Sequence, residues 1–107
     1  MARTVIHQPK VAWDGACAFV GAAGGPEYGT LATEMLGRLG TDWYGELANT
    51  RQRLLDASLE GEDDEHAVTD VEVARWRVRL EDLMRRRPDL ISAVRDLTEG
   101  LADTPAG

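Results

Sequence analysis

HAVTDVEVARWRVRLEDLMRRRPDLISAVRDLTEGL, residues His66 to Leu101, decides how this chain reads: a helix, a sharp joint and a second helix. Thr69 and Glu72 have the Ser/Thr-x-x-Glu spacing of a capping box, with Val68 and Val73 placed as the hydrophobic staple that brackets it. Val73, Trp76, Leu80 and Leu83 then fall on one helical face. Pro88 stops that helix, because it pushes residue 87 out of the α region. The same proline suits the first position of the next helix, with Asp89 near its positive end. Leu90, Val94, Leu97 and Leu101 carry the period onward, and Gly100 is a plausible C-terminal stop.

N-terminal to this stretch, Glu60-Gly61-Glu62-Asp63-Asp64-Glu65 reads as a solvated acidic turn between antiparallel helices. It lacks the alternating ligands and terminal glutamate of a calcium loop. Upstream of it, Ala32, Leu36, Leu39, Trp43, Leu47, Thr50, Leu54 and Ala57 recur at spacings of three or four, which favours one long helix over about residues 30–60. Gly37, Gly40 and Gly45 oppose it by roughly 1 kcal/mol each. Thr41 or Asp42 could cap a new helix there, so Gly40 is where the long helix would kink.

Residues 1–29 form a Gly/Ala-rich N-terminal arm. Thr4-Val5-Ile6 and Lys10-Val11-Ala12-Trp13 each fit a short strand or a helical turn. The run from Gly15 to Gly25 is almost all small residues, and Trp13, Phe19 and Val20 would tuck onto the helices or dock on a neighbouring subunit. Gly21 to Pro26 has no Gly-Lys-Ser/Thr ending and so is no phosphate loop. Cys17 could pair with His7 or His66 as a thiol–imidazole couple, but no third, orienting group is recognisable. Residues 102–107 read as a disordered tail.

The chain has 107 residues, one cysteine and a net charge of −7. Its length fits one domain. The lone Cys17 leaves no intrachain disulfide. No apolar run reaches the ~18–20 residues of a membrane span, and the start lacks the apolar core of a signal peptide, so the expected location is cytoplasmic. Residues 1–40 sum to zero charge, and all the excess acid follows. Arg75, Arg77, Arg79, Arg85, Arg86 and Arg87 make one helix locally basic. At about 100° per residue they spread over several faces, whereas a nucleic-acid helix would focus them. Pairing with Glu46, Asp56, Glu60 and the acidic turn is the expected use, and nucleic-acid binding through residues 75–87 is the alternative. No catalytic or metal-binding spacing is present, so neither an enzyme nor a cofactor is expected.

Three pieces, Thr50-Arg51-Gln52-Arg53-Leu54-Leu55, Trp76-Arg77-Val78-Arg79-Leu80-Glu81-Asp82-Leu83 and Pro88-Asp89 with Val94-Arg95-Asp96-Leu97, resemble a set of short actinobacterial helical proteins over about residues 43–99. The resemblance implies a small accessory or adaptor module, of a kind discussed beside bacterial effector systems. It carries no catalytic residues.

The expected fold is mainly α: an antiparallel long-helix hairpin plus a short C-terminal helix, with domain bounds of 1–29 for the arm, 30–101 for the helical body and 102–107 for the tail. Trp43, Leu47, Leu54, Trp76, Leu80, Leu83, Leu90, Val94 and Leu97 would form the seam. Tyr44, Leu55, Leu59, Val78, Met84 and Ile91 widen the stripe beyond two helices. With Trp13 and Phe19 from the arm, they are the candidate interface. The expected function is a noncatalytic, self-associating scaffold or adaptor, assembling as a homo-oligomer or on a larger bacterial effector or assembly protein.

Overall fold

The structure, a computed structural model, describes residues 8–102. The expectations for Thr4 to Ile6, for His7 and for the tail beyond Ala102 lie outside that range. Five α-helices follow one another: α1 (Gln8–Ala23), α2 (Tyr28–Leu39), α3 (Thr41–Glu60), α4 (Glu62–Arg86) and α5 (Ile91–Ala102), with a 3-10 turn at Pro88–Leu90 before the last. The described residues are mainly α and contain no strand.

Two glycines make the breaks. Gly40 (φ 105°, ψ 179°) and Gly61 (φ 127°, ψ 171°) adopt a backbone conformation almost confined to glycine. The predicted 30–60 helix is therefore two helices. At Gly40 the backbone N–H still closes α2 by donating to Met35 O at 3.2 Å, while its carbonyl accepts from Tyr44 N to open α3 at 3.2 Å. The apolar period ran through the break because one residue joins the two helices. It also mis-set the face of α2, which buries Leu31, Ala32 and Met35 and leaves Leu36 exposed.

The acidic turn is likewise a single residue, Gly61. Glu62, Asp63, Asp64 and Glu65 form the first turn of α4, and Arg85 and Arg86 lie in its last. Acid at the positive end and base at the negative end complement the helix dipole. The capping box at Thr69 and Glu72 is thereby corrected. Thr69 sits two turns inside the helix and donates its hydroxyl to Glu65 O at 2.7 Å, while Glu72 turns into the core.

The N-terminal arm proves to be a central element. Residues 8–23 form α1, which packs chiefly against α4 and α5 and also meets α3 and α2. Ala12, Ala16, Phe19, Val20 and Ala23 are buried along it. A Cβ placed on Gly15 would meet Leu80 Cδ1 at 3.1 Å, Thr98 Oγ1 at 3.3 Å and Val94 Cγ1 at 3.4 Å. The missing side chain is what lets α4 and α5 approach α1 at the same point. Phe19 meets Trp76 edge to face (centroids 5.8 Å apart, 78° between planes), and Trp43 leans on the same indole at 5.7 Å. Arg51 donates to Ala23 O at 3.0 Å, closing the end of α1, with its guanidinium 4.6 Å over the Tyr28 ring.

At the joint, α4 stops at Arg87 (φ −131°, ψ 75°) and Pro88 opens the 3-10 turn. Arg87 and Asp89 form a two-pronged ion pair at 3.0 and 2.8 Å. This hydrogen bonding lowers the Asp89 pKa and raises that of Arg87. The chain does turn here, but α5 does not lie along the Trp76–Leu83 face, as a seam shared by Leu90, Val94 and Leu97 with that face would require. Phe19 and Gly15 of α1 occupy that face, and α5 packs on α1 and α2 instead.

These backbone assignments separate the glycines by substitution. Gly40→Ala should lower stability by about 1–3 kcal/mol, because alanine must hold a strained conformation. Gly37→Ala adds a methyl into open space within α2 and should stabilise by up to about 1 kcal/mol. Denaturant midpoints of the two variants should therefore move in opposite directions.

Candidate functional site

Between α3 and α4 lies a buried polar group that the sequence pattern did not disclose. Thr50 is 1% exposed, Glu72 2% and Trp76 1%. Trp76 Nε1 donates to Thr50 Oγ1 at 2.8 Å, and Thr50 donates onward to Glu72 Oε1 at 2.7 Å. Arg53 Nε donates to the other carboxylate oxygen at 3.2 Å, and Arg75 Nε stands 3.9 Å from it. No buried side-chain nitrogen or oxygen among the described residues lacks a partner. A buried carboxylate survives only when paired and hydrogen-bonded. Here one oxygen is held by a hydroxyl and the other by guanidinium groups that reach solvent. The spacing of Thr50 puts it in the apolar stripe of α3, where its methyl-bearing Cβ fits, and nothing in that spacing reveals the hydroxyl's partners.

With Glu46–Arg79 at 3.3 Å, these contacts fix α3 and α4 as antiparallel neighbours. Toward their joined end, from Leu55 to Val71, only Ala57 is buried. Ala23, the last residue of α1, lies beside Arg51, one turn below Leu54.

The candidate interface residues divide. Phe19 and Met84 are fully buried, so both are corrected to core positions, covered by the chain's own helices. Ile91 is half-buried. Trp13, Tyr44, Leu55, Leu59 and Val78 reach the surface, Leu59 most of all at 85% exposure. They stand on three helices, with only Leu55 and Leu59 one turn apart on α3. Val71 and Leu36 are exposed large apolar residues that the sequence reading missed. Val71 was detectable, since it precedes Val78 by seven residues and Ala74 lies between them. At about 100° per residue these three share a face turned away from Trp76 and Leu80.

The arginines of α4 are mostly engaged. Arg75 pairs with Glu72, Arg77 with Glu81, Arg79 with Glu46, and Arg86 with Asp82. Most of these acids lie on α4 itself; the expected partners Asp56, Glu60 and the acidic turn are not among them. The last of these lies at the opposite end of α4. Among the described residues, Arg85, Asp63 and Asp64 make no ion pair.

A groove of about 320 Å³ runs between α2 and α5, floored by Leu31, Leu97 and Leu101 and rimmed by Glu34, Arg38 and Asp96. Cys17 lines a separate shallow depression with Ala18, Thr98 and Leu101. Partial burial, then the charge of Asp14, raises its pKa. No group of three or more possible metal ligands occurs among the described residues, and none of the described helices is long and apolar enough to cross a membrane. Comparisons with protein-family models, with curated proteins and with solved structures each gave no significant match.

The polar group makes a sharp stability prediction. Thr50→Val keeps the shape but removes the partner of both Trp76 Nε1 and Glu72, at about 1–3 kcal/mol for each group left unpaired. Thr50→Ser should recover most of the loss. Denaturation followed by tryptophan fluorescence reads both variants.

Proposed function

We propose that this chain is a noncatalytic, self-associating helical scaffold or adaptor module. The observation that carries the reading is that apolar side chains remain outside a core that is already closed. Leu59, Val78, Val71 and Leu55 are 85, 59, 53 and 40% exposed on α3 and α4, while Phe19, Trp76, Leu80 and Met84 fill the interior. Exposed apolar residues are ordinary singly. Successive ones on a single helix face are what partner helices cover. The pairing of α3 and α4 as a hairpin, with its rigid buried polar group, suits presentation of those residues to another protein.

The partner is a second copy, a larger bacterial effector or assembly protein, or both, and the expected setting is the cytoplasm. A nucleic-acid regulator using residues 75–87 has less support. Four of the six arginines there contact carboxylates on α3 or α4, and Arg87 contacts Asp89.

Self-association predicts a mass that rises with concentration from the 11.7 kDa of one chain. Light scattering across the micromolar range tests this, and a constant 11.7 kDa would remove the homo-oligomeric form of the reading. Binding to random duplex DNA should be undetectable at physiological salt. Salt-sensitive binding lost on Arg85→Glu with Arg86→Glu would favour the regulator instead.

A further inference from the structure

We infer that two copies of this chain pair through the outer face of α4, antiparallel about a two-fold axis between Ala74 and Arg75. The inference rests on the self-associating reading above and names its surface and partner. Val71 and Val78 are more than half exposed. With about 100° per residue they point within a few tens of degrees of each other, opposite the buried Trp76 and Leu80. None of the other described helices covers them.

Charge selects the occupant. The first turn of α4 is acidic and its last turn basic. Asp63, Asp64 and Arg85 lie on or beside the outer face, and none makes an ion pair among the described residues. Arg86, next to Arg85, pairs among the described residues only with Asp82 of its own helix. An antiparallel copy centred between Ala74 and Arg75 sets Val71 of one chain opposite Val78 of the other. The same operation sets Asp63 and Asp64 of each chain against Arg85 and Arg86 of its partner, twice by symmetry. A two-fold contact has to be self-complementary in this way. A parallel pair would instead set acid on acid and base on base. The antiparallel arrangement also opposes the two helix dipoles favourably. Ala74 stands beside its own copy on one side of the axis, small enough for close approach. Arg75 stands on the other side, leaning toward Glu72 at 3.9 Å. The face is narrow, and its area falls at the small end of specific interfaces, below about 1,200 Å² in total. A micromolar dimer is therefore expected.

The test uses the full chain and sedimentation across concentrations. Asp63→Arg with Asp64→Arg gives one variant, and Arg85→Asp with Arg86→Asp gives another; circular dichroism verifies that both fold. Each alone should self-associate at least about tenfold more weakly than the parent, because like charges now face each other at both ends. Mixed in equal amounts, they should form a heterodimer, since every altered pair is then complementary. Independently, Ala74→Cys in a Cys17→Ser background should yield a disulfide-linked dimer on mild oxidation, and Ser92→Cys in the same background should not. If the parent stays at 11.7 kDa at every concentration, the self-associating reading fails and this interface with it. If the parent associates, but the variants do so equally well, show no preference for each other, and Ala74→Cys does not cross-link, then the α4 interface is wrong while self-association stands.

Discussion

Close approach at Gly15 is the constraint on which the arrangement of helices depends. α1 has almost no side-chain volume along the face that meets α4 and α5, where Ala12, Gly15 and Ala16 are buried. Leu80 and Val94, from two different helices, therefore come to the same place on α1. A larger residue there would push one helix away and open the core on that side. Phe19 supplies one turn later the bulk that Gly15 withholds, and it meets Trp76 at its edge. Small residues and one aromatic ring thus let a 16-residue helix sit in the middle of the bundle. The other helices are placed around it.

That logic also explains what the amino-acid sequence disclosed and what it hid. The seam residues Leu47, Leu54, Trp76, Leu80, Leu83, Val94 and Leu97 are all buried, and Trp43 and Leu90 partly so. Their spacing suffices because bulky apolar residues at 3.6 periodicity have few other uses. α1 lacked that signature. Alanine and glycine score as weakly apolar and locally permissive, so a helix built to be approached closely looks like a flexible arm. The two glycine breaks were hidden for another reason. A one-residue joint preserves sequence spacing even as it changes direction, and periodicity cannot detect a turn that costs no residues. At Gly61 the acids looked like a loop because they are charged, although charge of that sign is what a helix start favours.

The buried polar group shows the limit of pattern reading most sharply. The spacing of Glu72 to Thr69 is that of a capping pair. The helix begins earlier, however, and the carboxylate is used across to α3 rather than back along α4. Trp76 brings an indole N–H into the core, which must find an acceptor. Thr50 provides one and donates its own hydroxyl hydrogen bond to Glu72. Since all members lie on two helices, sliding α3 by one turn against α4 would leave each of them unpaired. Apolar contacts alone tolerate such a slip better, so the polar group fixes register where leucines would only favour it.

The outer face of α4 was half legible for a related reason. Val78 and Met84 both flank the apolar stripe in the sequence pattern, yet six positions separate them, which is about 240° around the helix. One faces away from the core and the other into it. A helix with apolar residues on two opposed faces has a blurred period, and only the position of the core separates the faces. The charge gradient along α4 has the same double character. Complementing the dipole requires acids in the first turn and bases in the last, on any face, and Glu62 and Glu65 satisfy that need alone. It does not require Asp63, Asp64 and Arg85 to lie on or beside the face that carries Val71 and Val78. Their position on that side is what the proposed antiparallel copy would use, and the stability of α4 alone makes no such demand.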